Sequence, residues 1–281
     1  MGYNKSLKRK KNRTGDKMKK YAIFFDIDGT IVPEDKGAIP ESCKEAIRKA
    51  RENGHYTFIN TGRTYPSLDP FIKELNFDGY VCGCGTNIYF QGKELFQKEL
   101  GKEKSKEIVK DLYRYHIDGI LEGKYNVYYR DECLHPQVHR IKHSRDSFGN
   151  CEAIMMSWDD ENISFDKMAL WTVEGTDFTS FRKKYENEFE FISRADDFYE
   201  LVPLGFSKAS GMELLSNYLD IPVERMIAIG DSMNDISMLD YAGISIAMGN
   251  SHPYLLDKVS YVTTDIYEDG IYKALEHYQL I

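Results

Sequence analysis

Residues 23–32 read IFFDIDGTIV, from Ile23 to Val32. An apolar run that begins at Tyr21 meets Asp26 and Asp28, separated by a single residue, and is stopped by Gly29-Thr30. A short aromatic and β-branched run bounded by glycine reads as a buried strand of a parallel sheet. Parallel strands carry functional groups at their carboxyl ends, where the ligand crevice opens, and both aspartates stand there. Side chains two apart on a strand share a side. Two carboxylates at the mouth of a buried strand repel each other and need a cation, a proton or a nest of hydrogen bonds. Taken alone, Asp28-Gly29 is equally well a turn pair.

Working outward, the same grammar repeats. Residues 40–53 carry Cys43, Ala46, Ile47 and Ala50 at helical spacing and close on Asn53-Gly54, a helix with its C-terminal stop. A second buried strand over 56–59 ends in Asn60-Thr61-Gly62-Arg63, a second helix is expected over 66–75, and a third strand over 79–82. The β-α-β-α-β rhythm is that of a doubly wound parallel sheet. It then breaks. A hairpin turn at Gln91-Gly92-Lys93, helices over 103–115 and 177–189, and more polar, alternating strands within 119–129, 165–173, 189–192 and 199–202 suggest an open antiparallel sheet with one wet face. Residues 130–164 carry no readable element. From Ser207 the first rhythm returns: a helix over 208–219, a strand over 226–229 ending in Gly230-Asp231-Ser232-Met233-Asn234-Asp235, and further alternation to a closing helix over 270–278. The expected fold is therefore α/β, a Rossmann-like doubly wound core with an inserted α+β domain. The core takes 20–85 and 197–281, the insert 86–196, and residues 1–19 form a disordered basic tail.

Composition narrows the function. Of the 281 residues 42% are hydrophobic, enough for a substantial core, and the net charge is -8. Residues 1–20 hold nine Lys or Arg and one acid, so the remainder carries 28 basic against 44 acidic side chains. A body so acidic argues against a nucleic-acid surface. A small anion could bind only where a metal or a local basic cluster overcomes the field. No apolar stretch reaches the roughly 20 residues of a membrane span. The five cysteines are odd in number and irregularly spaced, which suits reduced thiols and a cytoplasmic location.

Three apolar runs thus end in polar, glycine-bearing turns: Asp26-Ile27-Asp28-Gly29-Thr30, Thr61-Gly62-Arg63 and Gly230 to Asp235. In a parallel sheet all three lie at one edge. Asp26, Asp28, Asp231 and Asp235 would converge there, an arrangement that demands a cation. All-oxygen ligation with room for waters suits Mg²⁺. Beside free carboxylates that ion suits phosphoryl chemistry, because it neutralises a phosphate the carboxylates would otherwise repel.

On these motifs the chain resembles the haloacid dehalogenase superfamily of phosphohydrolases, and its Cof-type branch in particular. The likeness runs from about residue 20 to the end, with the long insert in the place of that branch's cap domain. The resemblance implies that Asp26 is the nucleophile and Asp28 the general acid; Thr30 is close enough in sequence to tune Asp28. It implies that Thr61, Gly62, Lys208 and Asn234 bind the phosphoryl group, Lys208 also balancing Asp26. Mg²⁺ would be held by the carboxylates of Asp26 and Asp231 and the main-chain carbonyl of Asp28, with Asp235 holding a metal-bound water or completing the shell. Asn250 would sit near the phosphate. The substrate would be a small phosphorylated metabolite, with sugar phosphates foremost. A sugar phosphomutase, which returns the phosphoryl group to its substrate, and a non-catalytic sensor of a phosphorylated ligand are the alternatives. Cys84-Gly85-Thr86 stands where such proteins often carry Asn-Gly-Ala, and Ala209 follows Lys208 in place of glycine. His135, His139 and His143 fall in a helical row that Pro136 interrupts, and read as a solvated face rather than a metal site. The oligomeric state and the role of the basic tail are not readable.

Overall fold

The computed structural model describes residues 20–35, 38–148 and 152–281; the tail expected over 1–19 lies outside them. The first strand, β1, is Ala22–Phe25, followed by α1 (Glu41–Glu52), β2 (Tyr56–Asn60), the single-turn α2 (Pro70–Lys73), β3 (Gly79–Cys82), β4 (Asn87–Phe90) and β5 (Lys93–Gln97). Then come α3 (Lys102–Arg114), β6 (Ile117–Glu122), β7 (Asn126–Tyr129), α4 (Pro136–Phe148), β8 (Ile154–Ser157), β9 (Lys167–Thr172), α5 (Phe178–Tyr185), β10 (Phe189–Ala195) and β11 (Phe198–Pro203). The chain closes with α6 (Lys208–Leu219), β12 (Met226–Gly230), α7 (Ile236–Tyr241), β13 (Ile244–Ala247), α8 (Pro253–Leu256), β14 (Tyr261–Val262) and α9 (Gly270–His277).

Two sheets result. The larger runs β14-β13-β12-β1-β2-β3-β4-β5, parallel from β14 to β3 and antiparallel through the last hairpin. β1 lies near its middle, buried on both faces. Ile23 and Phe25 pack toward α1 and α9, and Ala22 and Phe24 toward α6 and α7. Phe24 stacks on Phe58 of β2 with ring centroids 4.8 Å apart, and burying such a side chain contributes roughly 1.5–3 kcal/mol. This two-sided burial explains why the strand reads as an unbroken apolar run. The second sheet runs β10-β11-β9-β6-β7-β8. It is antiparallel except for β8, which pairs parallel with β7. One face of it packs on α3 and α5.

Sheet membership differs from the expected pattern at both ends of the insert. The β4–β5 hairpin extends the large sheet, and β11 pairs with β9 and β10, so sheet membership changes after 97 and again after 203, where the sequence pattern put the changes at 86 and 196. An edge hairpin with one wet face carries the same alternation as a strand of an open sheet, so pattern alone assigns it to the wrong neighbour. Here Phe90 packs 5.9 Å from Phe58 and joins the core. Pro66 and Pro70 each lack an amide donor, and the helix expected over 66–75 is only a 3-10 turn at Tyr65–Ser67 and one turn at Pro70–Lys73. Pro136 opens α4 rather than interrupting it.

Candidate active site

β1, β2 and β12 end side by side, and their turns converge as the motifs require. Asp26 is the first residue beyond β1; its amide donates to the Ile229 carbonyl of β12 at 3.0 Å, and its side chain is buried. Asp231 and Asp235 follow β12. Ligand oxygens of Asp26, Asp231 and Asp235 lie within 4.8 Å of one another. Lys208 reaches under this trio with only 1% of its side chain exposed, donating to Asp26 Oδ1 at 2.6 Å and to Asp235 Oδ1 at 2.5 Å. Its placement has a local cause. Ser207 caps α6, accepting from the Ser210 amide while Ser210 Oγ accepts from the Ser207 amide, a capping box of the kind whose loss costs about 1 kcal/mol. Lys208 is thereby fixed as the first residue of the helix. Asn60, at the end of β2, donates to the Lys208 carbonyl at 3.1 Å.

Two further oxygens of the trio are engaged as well. Asp235 Oδ2 accepts the amides of Asp231 and Ser232 at 3.0 and 2.9 Å, and Asp231 Oδ1 accepts the Thr30 hydroxyl at 3.0 Å. Gly29 has φ +81°, and a Cβ on it would overlap the Asp231 carboxylate. Only glycine allows that carboxylate so close to the Asp28-Gly29-Thr30 turn. Burial, then Asp235, push the Asp26 carboxyl up to about 7 against the pull of Lys208. Burial, then Asp26 and Asp235, push Asp231 up to about 8. One ammonium is too little compensation for three buried carboxylates.

Asp28 departs from the expected convergence. Its side chain is 58% exposed and points to Arg63, which grips it with Nε at 3.1 Å and Nη2 at 2.5 Å and holds Asp69 with Nη1 at 2.9 Å. Three carboxylates gather rather than four. Thr30, read as tuning Asp28, bonds Asp231 instead. The chain turns tightly after Asp26, with Ile31 and Val32 amides both returning to the Ile27 carbonyl, so strand alternation does not carry as far as Asp28. Arg63, which the motifs gave little weight, is thus a principal partner at the site; its only sequence signal is its place in Thr61-Gly62-Arg63.

Thr61 is buried, and its Oγ1 accepts the Arg63 amide at 3.1 Å. The loop is braced by β3 and the turn beyond it: Thr61 N donates to Val81 O, Cys84 N to Thr61 O and Gly83 N to Arg63 O. Asn234 lines the cavity above the trio, with its Oδ1 accepting the Ser232 hydroxyl. Asn250 is not among the residues that line this cavity. It ties the Gly29 carbonyl (2.8 Å) to the Ile266 amide (3.1 Å) and so braces the loop.

Above these groups a cavity of about 500 Å³ separates the strand ends from the second sheet. Alternation along β9 points Lys167, Ala169 and Trp171 into it, while Met168 and Leu170 pack on the helices behind. Trp171 stacks on Phe198 with centroids 4.2 Å apart and planes 2° from parallel. Beside them Lys167 bonds Glu200 at 2.9 Å and Glu122 at 3.3 Å, and Arg194 pairs with Glu200 at 3.1 Å. Burial alone would raise Glu200, but Lys167 and Arg194 outweigh it and hold the carboxyl below its usual range. His135, expected on a solvated face, lies over Trp171 and contacts Asp197 at 3.2 Å. No sequence pattern distinguished Lys167, Trp171, Arg194, Phe198 or Glu200, because none belongs to a turn motif.

A doubly wound sheet with a carboxylate cluster at its carboxyl edge, roofed by an inserted sheet, is the architecture of a capped hydrolase. The chain belongs to the haloacid dehalogenase-like hydrolases: that family's model matches residues 23–275. It is similar to a putative phosphatase, YkrA, of Bacillus subtilis, with 27% identity over 92% of this chain and 98% of the relative. It is 28% identical to the pyridoxal phosphate phosphatase YbhA of Escherichia coli, over 89% of this chain and 95% of that one. Among solved structures it resembles the subclass IIB sugar phosphatase BT4131, with a TM-score of 0.78 and 26% identity, covering 93% of this chain and all of the other. The protein is a Cof-type phosphatase of this superfamily. Among the described residues no helix is long and apolar enough to cross a membrane.

Proposed function

We propose that the protein hydrolyses small phosphorylated metabolites with Mg²⁺ through an aspartyl-phosphate on Asp26. The carrying observation is Lys208, buried and bonded at once to Asp26 and Asp235 beneath three carboxylates. The donor set fits a hard divalent cation: all ligating atoms are oxygen and the cluster keeps an excess of negative charge. Asp26, Asp231 and Asp235 would hold it, with the Asp28 carbonyl as a fourth oxygen. Bound there, Mg²⁺ offsets the charge of the phosphoryl group.

The chain's own residues do the rest. Asp26 acts as its carboxylate: the free oxygen forms the bond to phosphorus as the bond to the leaving oxygen breaks. Lys208 pulls that carboxyl toward its ionised form, and the Thr61 hydroxyl and the amides of its loop bind the phosphoryl oxygens. Asp28, once it has left Arg63 and taken a proton from solvent, gives that proton to the leaving alkoxide. It then takes one from the water that attacks phosphorus and frees Asp26. The second sheet covers the site and keeps other water out.

Sugar phosphates are the foremost class. The Trp171–Phe198 pair offers an apolar face against which a ring can stack, and Arg194 and Glu200 offer charged hydrogen-bond partners beside it. Two relatives' names, sugar phosphatase and pyridoxal phosphate phosphatase, support a ring-bearing leaving group. Described cysteines Cys43, Cys82, Cys84 and Cys133 are all free thiols, which supports action in the cytoplasm. The test is phosphate release from a panel of phosphate esters, with and without Mg²⁺. Release that needs Mg²⁺ and is absent in Asp26→Asn supports the proposal. An isomerised phosphate ester without free phosphate would make the protein a mutase, and tight binding without turnover a sensor.

A further inference from the structure

We propose that Lys167 is a positioning residue: from the inserted sheet it holds the Gly62–Arg63 peptide so that Thr61 presents its hydroxyl proton to the phosphoryl group. The inference rests on the phosphatase reading above for its consequence, but its geometry stands without it.

Lys167 opens β9 and is 3% exposed. Two of its acceptors, Glu200 and Glu122, belong to its own sheet. The third, at 2.8 Å, is the Gly62 carbonyl of the phosphate-binding loop in the other sheet's domain. A buried ammonium has three N–H donors to satisfy; two go to carboxylates of its own sheet, and the third is met only across the domain border. The turn after β3 holds the same loop, Cys84 N donating to Thr61 O and Gly83 N to Arg63 O, and a Cβ on Gly62 would be in ordinary contact, 3.5 Å, with Cys84 Sγ, Lys167 Nζ and Glu200 Oε1. The loop is therefore clamped between the turn after β3 and the second sheet.

The bonded carbonyl is half of a single peptide unit. Its other half is the Arg63 amide, which donates to Thr61 Oγ1 at 3.1 Å. A cation on the carbonyl polarises the peptide and strengthens that amide as a donor. A hydroxyl has one proton to give and two lone pairs to fill. With one lone pair occupied by the Arg63 amide, the Thr61 proton turns away from it, toward the cavity. The same peptide leads into Arg63, whose guanidinium holds Asp28. One cation of the inserted sheet thus sets the register of a phosphate ligand and, one residue further on, of the acid's partner.

Removing Lys167 alone would strand Glu122 and Glu200 in the interior, so the test variant is Lys167→Met combined with Glu122→Met, which leaves the Arg194–Glu200 pair balanced. If that protein does not melt cooperatively, Lys167→Met with Glu122→Gln replaces it. Amide hydrogen exchange of Arg63 is read by NMR, and kcat and KM are measured on a phosphate ester with Mg²⁺. The expected result is Arg63 exchange faster by about tenfold or more while amides of β6 and β9 stay within about twofold. With it kcat/KM falls on the order of 10- to 100-fold, the loss a misplaced binding group produces. Arg63 exchange within twofold of the parent overturns the proposal, whatever the activity. Fast exchange with undiminished kcat/KM also overturns it, since the peptide would then move without consequence. If the parent protein itself hydrolyses no phosphate ester, it is the functional reading that fails, and the exchange result alone decides whether Lys167 holds the loop.

Discussion

Replacing Lys208 with methionine tests the centre most directly. The side chain keeps its length and loses its charge, and Asp26 Oδ1 and Asp235 Oδ1 each lose a partner at 2.6 and 2.5 Å. Breaking a buried ion pair from one side costs about 3–5 kcal/mol, because the remaining charge is left without compensation. At about 2 °C per kcal/mol for a chain of this size, the melting temperature should fall by roughly 6–10 °C. The loss depends on pH. Asp26 already has its pKa raised to about 7 by burial, and without the ammonium it rises further. Below that value the carboxyl is neutral and needs no partner; above it the charge is uncompensated. The deficit should therefore be largest at pH 8 and much smaller at pH 5.5, read as thermal melts in chelator so that no divalent cation substitutes for the lysine. Turnover with Mg²⁺ should drop on the order of 10²–10³, as for loss of one preorganised donor at a charged transition state. A variant that melts within about 1 °C of the parent at pH 8, or loses the same amount at both pH values, would refute the reasoning.

Three further outcomes follow from the same geometry. Asp26→Asn should fold and melt no lower than the parent in chelator at pH 8, since a buried charge is removed, and should show no phosphate release in a contaminant-free preparation. Asp28→Asn should lose roughly 10²–10⁴ in kcat on alkyl phosphates and far less on p-nitrophenyl phosphate, whose leaving group needs no proton. Mg²⁺ at about 100 times its Kd should stabilise the protein by about 2.7 kcal/mol. That gain should shrink between pH 8 and pH 5.5, because protons hold Asp26 and Asp231, raised to about 7 and 8, and compete with the ion; scanning calorimetry at both pH values reads it.

The parts of this protein that were legible in its sequence are those with local causes. A strand buried on both faces must be apolar along its whole length, so Ile23 to Phe25 and Met226 to Ile229 declare themselves, and a turn that brings backbone against a carboxylate requires the glycine at 29. From these the doubly wound sheet and the gathering of Asp26, Asp231 and Asp235 follow by topology alone. The borders of the inserted sheet were not legible. A hairpin such as Asn87–Gln97 has the same alternation whichever sheet it joins, and which one it joins depends on whether Phe90 finds Phe58.

Partner choice among the polar side chains belongs to the tertiary structure. Lys208 meets Asp26 across 182 residues and Lys167 meets Gly62 across 105; Asp28 turns to Arg63, and Thr30 to Asp231. Sequence by itself determined which strands end in chemistry, because an apolar run and the turn that stops it are set by neighbours in the chain. Only the assembled fold decided which of those groups touch. A hydrogen bond is settled within a few tenths of an ångström, and that separation is the sum of every element packed between its two ends.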